Sequence, residues 1–473
     1  MTKDIIIKCF KTPNNNYVYD RQTNSIVCVM DKDFKELCSL SVNEITASQC
    51  NCLKSYQDRG VFLPNTVKTV KHLKTDDLSH MMDNDLSQLI LQVTQQCNLR
   101  CGYCAYSGIY EGHRVHQNKR MSFELAKRGI DFFIKHSREK DSIDIGFYGG
   151  EPLLEFDLLR KCTEYAKGLV EGKELTFGLT TNGTLLKDEI AEYLVKNDFR
   201  IGISLDGPKR EHDINRRFAN GKGSFDTIIQ NVKSLKRNYP EFVKNKIIFM
   251  TVINPKSDLG CVTEYFSEDH LMKDSNIMFS SMRETSAKVV IDYRRESLIL
   301  RRYEYLKLMF YLIRRMDKKY VSVLERDSRA QYSRNYELFR RHTPLNAEAH
   351  PGGPCLPGIN RLFITTEGDF YPCERVSEVN TYFKIGSIDT GFDLKSMKNV
   401  LNNAKISEQT CKTCWALPAC KICSNDIEFG EGNKLCLCEK LKACKSEKIK
   451  IMSDIYEICV LREFGYQDEN WSE

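Results

Sequence analysis

The sequence predicts an α/β protein built on an open, partial parallel barrel of six strand–helix units, with a small domain before it and a cysteine-rich one after it. Three observations carry that expectation. Between residues 86 and 285, short β-rich runs alternate with amphipathic helices, the pattern of parallel strands joined by right-handed crossovers. Six runs are too few for a closed eight-stranded barrel. A chain of 473 residues has length for about three domains and for a core that needs no disulfides. Its twenty cysteines are grouped rather than scattered, ten of them in the last 119 residues.

Taken in order, runs at 5–9, 17–20 and 25–30 read as strands separated by polar turns, and a helical stretch follows from 33 towards 60. This first domain ends near residue 85. The barrel strands are expected at 89–94, 143–148, 175–181, 200–205, 247–253 and 277–281, with helices at 123–136, 156–169, 188–196 and 225–236. Residues 286–350 are charged and helical and read as a connector. At His350-Pro351-Gly352-Gly353-Pro354-Cys355 the texture changes to short elements over 351–473, a region expected to rely on bound metal.

Composition excludes several classes. The hydrophobic fraction of 41 % and charged fraction of 28 % are those of a globular protein. No run approaches the ~20 apolar residues of a membrane span. Lys8 interrupts the apolar start, so no secretory segment is expected and the cytoplasm is the expected compartment. Seventy basic against 64 acidic residues leave +6, and the basic runs are interleaved with acids, so neither a nucleic-acid face nor a membrane partner is expected.

Cys97-x3-Cys101-x2-Cys104 follows directly on the first barrel strand. Three thiolates on one loop can hold a four-iron four-sulfur cluster and leave one iron open. A zinc loop short of one ligand is the other reading of the spacing alone. At the end of the second strand stands Phe147-Tyr148-Gly149-Gly150-Glu151-Pro152, where glycines permit close approach of a ligand and Glu151 can receive an ammonium group. Thr180-Thr181-Asn182-Gly183 ends the third strand, and Ser204-Leu205-Asp206-Gly207-Pro208 the fourth, with His212-Asp213-Ile214-Asn215-Arg216 soon after. All fall on one rim.

This ordered set resembles the radical S-adenosylmethionine (SAM) superfamily. The resemblance implies that Cys97, Cys101 and Cys104 hold the catalytic cluster. It implies that Gly149, Gly150 and Glu151 hold the SAM amino group, with Asn182 on the same rim. Ser204, Asp206 and Arg216 then bind the ribose and carboxylate, and Tyr103 packs on the adenine.

The second cysteine set is Cys355, Gly368-x4-Cys373, Cys411-x2-Cys414-x5-Cys420-x2-Cys423, and then Cys436, Cys438 and Cys444. It resembles the SPASM extension, which implies two further 4Fe-4S clusters and three in all. The usual spacing has three residues, not two, before the last of the close cysteines. By the family pattern Cys411, Cys414 and Cys420 share a late cysteine, Cys438 being favoured and Cys436 the alternative. Cys355, Cys373 and Cys423 hold the other cluster, leaving one iron for a substrate thiolate or for a further cysteine such as Cys444. A structural zinc module is the competing reading of the same pairs. The remaining cysteines, including Cys50-Asn51-Cys52, read as free thiols.

The first domain resembles the winged-helix element that recognises leader peptides by β-augmentation. Cys104-Ala105-Tyr106-Ser107-Gly108, Gly368-Asp369-Phe370-Tyr371-Pro372-Cys373-Glu374-Arg375 and Cys411-Lys412-Thr413-Cys414-Trp415 resemble the radical SAM maturases of Cys-rich ribosomal peptides, the thioether-forming sactipeptide and ranthipeptide makers. That implies reductive cleavage of SAM, hydrogen abstraction from a leader-bearing precursor peptide, closure of a thioether by a precursor cysteine, and a reductant such as flavodoxin or ferredoxin. The alternatives are a SPASM enzyme that makes formylglycine on sulfatases or a C–C cross-link, and an iron–sulfur or zinc binding protein without catalysis.

Overall fold

The computed structural model describes residues 5–282, 285–289, 291–340, 342–353 and 355–466. The chain opens with an antiparallel meander of β1 (Ile7–Lys11), β2 (Asn16–Asp20) and β3 (Ser25–Val29), followed by α1 (Asp31–Ser41) and α2 (Leu53–Gln57). On α1 the buried residues Phe34, Leu37 and Leu40 recur every three positions, so one stripe meets the sheet residues Ile7, Val18 and Val29. The small domain does not stand free. Tyr19 packs edge-on against Trp415, and the buried Arg21 guanidinium donates to Asn65 Oδ1 (2.5 Å) and to the Lys412 carbonyl (3.1 Å). Next come β4 (Thr69–Val70) and α3 (Leu78–Asn84).

The barrel follows as β5 (Gln88–Thr94), α4 (Phe123–Lys135), β6 (Ser142–Gly149), α5 (Phe156–Leu169), β7 (Glu174–Thr181), α6 (Asp188–Lys196), β8 (Arg200–Ser204), α7 (Lys209–Asn215), α8 (Phe225–Asn238), α9 (Pro240–Lys246), β9 (Ile247–Ile253), α10 (Leu259–Glu268) and β10 (Ile277–Ser281). β5 to β10 pair in parallel in sequence order, six strands where six were expected. Each strand alternates by face. Ile145, Phe147, Phe177, Leu179, Ile201 and Ile203 belong to the main core. The intervening Gly146, Gly178 and Gly202 line a central cavity of about 700 Å³. A Cβ at Gly202 would lie 2.7 Å from the Met250 sulfur, so the Met250 side chain would have to shift. Helix α4 shows the complementary logic: Ala126, Gly129, Ile130 and Phe133 are buried at helical spacing, and the Ser122 hydroxyl caps it by accepting from the Leu125 amide.

The rest comprises α11 (Arg295–Leu312), α12 (Arg326–Arg340), β11 (Glu348–Ala349), β12 (Leu362–Ile364), β13 (Asp369–Tyr371), β14 (Gly386–Ser387), β15 (Gly391–Phe392), α13 (Leu394–Leu401), α14 (Glu408–Lys412), β16 (Phe429–Gly430), β17 (Lys434–Leu435) and α15 (Leu437–Glu463). Two features differ from expectation. The boundary placed at 350 is no break in the sheet, because β12 pairs in parallel with β5 and β13–β15 continue it to ten strands. The reason is the open edge of β5, whose unpaired backbone groups need covering. The last region also holds one 27-residue helix, α15, rather than short elements only. Ile451, Ile455 and Ile458 on its buried face join a second core with Tyr332 and Tyr336 of α12. No helix of the described residues is long and apolar enough to cross a membrane.

Candidate active site and cysteine clusters

The loop after β5 carries Cys97, Cys101 and Cys104, and its seat is built by backbone contact with the end of β6. Gly150 N–H donates to the Thr94 carbonyl (3.0 Å) and Glu151 N–H to the Gln96 carbonyl (2.8 Å). A Cβ at Gly149 would lie 2.2 Å from the Thr94 oxygen, and one at Gly150 2.0 Å from the Gln96 oxygen. The glycines were expected to admit a ligand. The backbone of the cysteine loop also packs directly against them. The far side of that loop is held by the segment after α7, where Arg100 N–H donates to the Arg217 carbonyl (2.7 Å) and Gly102 N–H to the Asn215 carbonyl (3.1 Å).

Glu151 is buried, and its carboxylate accepts from the Leu153 amide (3.0 Å), the Thr181 hydroxyl (2.7 Å) and the Asn182 amide (2.7 Å). A carboxylate has about four acceptor positions, so one is left over. Burial pushes its pKa up to about 7 against the pull of those donors. The Asn182 side chain donates to Asn98 Oδ1 (2.8 Å) and points at the Cys97 sulfur (3.8 Å). Thus two residues expected on the rim are joined to the first cysteine.

Three more expected residues form a second unit. Asp206 accepts from Arg216 Nε (2.9 Å), from the Tyr103 hydroxyl and from the Val252 amide (3.0 Å). Both members of the Asp206–Arg216 pair are nearly sealed, at 5 % and 9 % side-chain exposure. The Arg216 guanidinium lies 5.3 Å from the Tyr103 ring centre. Tyr103, expected on an adenine, therefore ties the cysteine loop to this ion pair. Ser204 sits half-buried at the end of β8. Sequence reasoning gave His212 no role, yet it orders the unit from beneath. Its Nδ1 accepts from the Asp206 amide (3.2 Å), which leaves Nε2–H to donate to Ser224 Oγ (3.0 Å). Burial pushes its pKa down to about 4.

Cys97, Cys101 and Cys104 lie within electrostatic reach of one another, with Arg216 beside Cys101 and Arg216, Arg114 and Arg100 beside Cys104. Burial raises all three thiols, Cys97 to about 12 and Cys101 to about 11. A metal centre is what would draw such thiols into thiolate form. Among the described residues, the group of three donors lying within 4.8 Å of one another is Glu36, Cys50 and Cys52. No three of the motif cysteines pack so tightly. Tetrahedral zinc with bonds of about 2.3 Å needs thiolates ~3.8 Å apart.

The C-terminal cysteines form two sets. Cys373 feels Cys355 and Cys423, with Glu374, Arg361 and Arg375 around them. Arg361 holds Glu374 through two bonds of 2.8 and 2.9 Å. Cys444 feels Cys411 and Cys414, and Cys420 feels Cys444. Cys444 lies with this second set and offers it a late cysteine in addition to the expected Cys438 and its alternative Cys436. Those two are disulfide-bonded to each other. Helical periodicity gives the reason. On α15, Lys440, Cys444, Ile451, Ile455 and Ile458 share the inward face, whereas Cys438 is exposed on the other.

Residues 91–258, within the partial barrel, match the family model of the Radical SAM superfamily. Over a longer stretch the chain is 26 % identical over 402 residues to a cysteine-type anaerobic sulfatase-maturating enzyme of Clostridium novyi (strain NT), covering 80 % of this chain and 99 % of that one. It is 27 % identical over 230 residues to the Radical SAM cyclopropyl synthase TigE of Paramaledivibacter caminithermalis, covering 46 % of this chain and 42 % of the relative. The solved structure of native anSMEcpe with bound AdoMet and Kp18Cys peptide shares the fold at a TM-score of 0.56 and 21 % identity, over 80 % of this chain and 99 % of that one.

Two predictions follow from this geometry. Cys444→Ala lowers the iron of the anaerobically reconstituted protein by about four atoms per chain, from four irons in a cluster, while Cys438→Ala leaves it unchanged; iron analysis of the two variants checks this. His212 binds fewer protons folded than unfolded between its ordinary pKa of 6.5 and about 4. Its contribution to stability is therefore present above pH 6.5 and is lost as the pH falls towards 4, by about 3 kcal/mol for such a shift. Denaturant titrations at pH 7 and pH 4.5 should show a smaller acid loss in His212→Asn than in wild type.

Proposed function

We propose that this chain is a Radical SAM maturase of a cysteine-containing segment of a ribosomally made polypeptide. The observation that carries the reading is the cavity of about 700 Å³ inside the barrel. Tyr148 lines one side of it, within electrostatic reach of Cys104, and Glu374 and Arg375, beside Cys373, line the other. A peptide segment in that lumen lies between two thiol sets. Its small glycine floor leaves room for side chains.

The chain's residues divide the work. Cys97, Cys101 and Cys104 hold one iron–sulfur cluster and leave a position open for SAM. Glu151 and Asn182, with Gly149 and Gly150, form the side of the site for the SAM amino group, and Ser204, Asp206 and Arg216 the side for ribose and carboxylate. When bound, cluster and SAM supply one-electron cleavage and hydrogen-atom removal; the protein orients the parts and keeps water out. Cys411, Cys414, Cys420 and Cys444 offer four thiolates to a second cluster. Cys355, Cys373 and Cys423 offer three to another, leaving one position for a substrate donor. A reductant of the flavodoxin or ferredoxin kind supplies the electron.

Two finer readings compete, each with its own support. The relatives described as sulfatase-maturating enzymes support oxidation of a cysteine to formylglycine on a sulfatase, and the comparisons favour it. The three-thiol set and the three-stranded domain, with β1 and β3 as sheet edges, support thioether closure in a leader-bearing Cys-rich precursor.

Mass spectrometry separates them. The reconstituted chain with SAM and reductant is given, in turn, a peptide carrying a sulfatase active-site cysteine and a leader-bearing Cys-rich precursor. Maturation to formylglycine loses sulfur and creates an aldehyde. Thioether closure loses two hydrogens, keeps sulfur and removes a free thiol. No SAM-dependent change in either would contradict the maturase reading itself.

A further inference from the structure

The first domain holds a set of donors that no part of the Radical SAM chemistry uses. Glu36 lies on α1, and Cys50 and Cys52 flank Asn51 on the segment that leads into α2. One ligand atom from each lies within 4.8 Å of the other two. The two sulfurs are 3.6 Å apart, close to the ~3.8 Å edge of a tetrahedron around zinc with bonds of about 2.3 Å. The set is held by its own backbone as well. The Cys52 amide donates to Glu36 Oε2 (3.2 Å), so the carboxylate is aimed before any ion arrives. The turn before Cys50 is fixed by a reciprocal capping box between Thr46 and Gln49. Cys50 is 5 % exposed and Cys52 half-buried, so the donors sit at the edge of the domain's core with one side open to solvent.

We propose that Glu36, Cys50 and Cys52 bind a thiophilic divalent cation, zinc, with water or an exogenous donor in the fourth position. Two thiolates and one carboxylate are a borderline-soft donor set, which suits zinc better than magnesium or calcium. Three protein ligands with an open fourth position are an arrangement zinc adopts. The ion would pin α1 to α2 across a core of only eleven buried hydrophobic residues, where a small domain gains most from a metal staple. The site is separate from the iron–sulfur sets, so iron content and zinc content report on different residues.

The test uses the full chain with its clusters reconstituted anaerobically, then loaded with zinc chloride and desalted. Zinc and iron are measured per chain, and hydrogen exchange is followed over residues 31–57. Wild type should hold about one zinc that Cys52→Ser and Glu36→Gln lack, with iron equal in all three. Zinc should slow exchange in α1 and α2 of wild type and not of the variants. Cys9→Ser, which alters a neighbouring thiol outside the set, should keep the zinc. If Cys52→Ser fails to fold, Glu36→Gln, whose change lies on a half-buried helix face, decides. Equal zinc in wild type and Glu36→Gln, or a Cys50–Cys52 disulfide in protein purified and loaded under reductant, would overturn the proposal.

Discussion

The site depends on one contact of backbone against backbone. Gly149 and Gly150 end β6 so close to Thr94 and Gln96 that the carbonyl oxygens of the cysteine loop occupy the space a side chain would need. Two hydrogen bonds donated by the Gly150 and Glu151 N–H groups close the contact. Everything on the rim is set from there. Glu151, placed by that turn, gathers the Thr181 hydroxyl and the Asn182 amide at the end of β7, and Asn182 in turn faces Cys97. The loop bearing the three thiols is shaped by the sheet beneath it rather than by its own sequence.

Charge completes what sterics begin. Asp206 and Arg216 are sealed together at the end of β8, with Tyr103 of the loop bonded to the same carboxylate. A buried ion pair contributes little net stability, but removing one partner strands the other. Its use here is positional: it fixes the outer side of the cysteine loop, and neutral His212 fixes Asp206 in turn. A second sealed pair, Arg114 and Glu378, links the loop after Cys104 to the strands that extend the sheet, with the Arg114 guanidinium 3.6 Å from the Tyr106 ring centre. Buried Lys440, in reach of Cys411 and Cys420, fits a site meant for thiolates.

The sequence made the barrel legible because its strands are short apolar or β-rich runs followed by helices with one apolar stripe. All six strands fall within a residue or two of where the pattern puts them. The motifs that resemble those of the Radical SAM superfamily were legible because each sits at a strand end, where a short run of residues does all the positioning. Other parts were hidden for physical reasons. The strands β12 to β15 are two or three residues long and exist because β5 has an open edge, a fact of tertiary structure. Cys444 was a candidate whose set the cysteine spacing left open; the spacing of Ile451, Ile455 and Ile458 marks the inward face of α15 on which it lies. The need for space at the glycine pair was legible, but not that the backbone of the cysteine loop comes against it. Glu36 lies fourteen positions before Cys50, too far for any motif to join them.

The most direct measurement of the account is made on Gly150→Ala. The substitution adds one methyl group where the Gln96 oxygen stands 2.0 Å away and the Cys97 nitrogen 2.9 Å, and it touches no thiol. Iron per chain and 5′-deoxyadenosine released from SAM are compared with wild type after anaerobic reconstitution. If the backbone contact seats the cysteine loop, the variant keeps its far-ultraviolet circular dichroism and the iron of its C-terminal sets, loses about four irons, and releases no 5′-deoxyadenosine. Full iron and undiminished SAM cleavage in Gly150→Ala would contradict it.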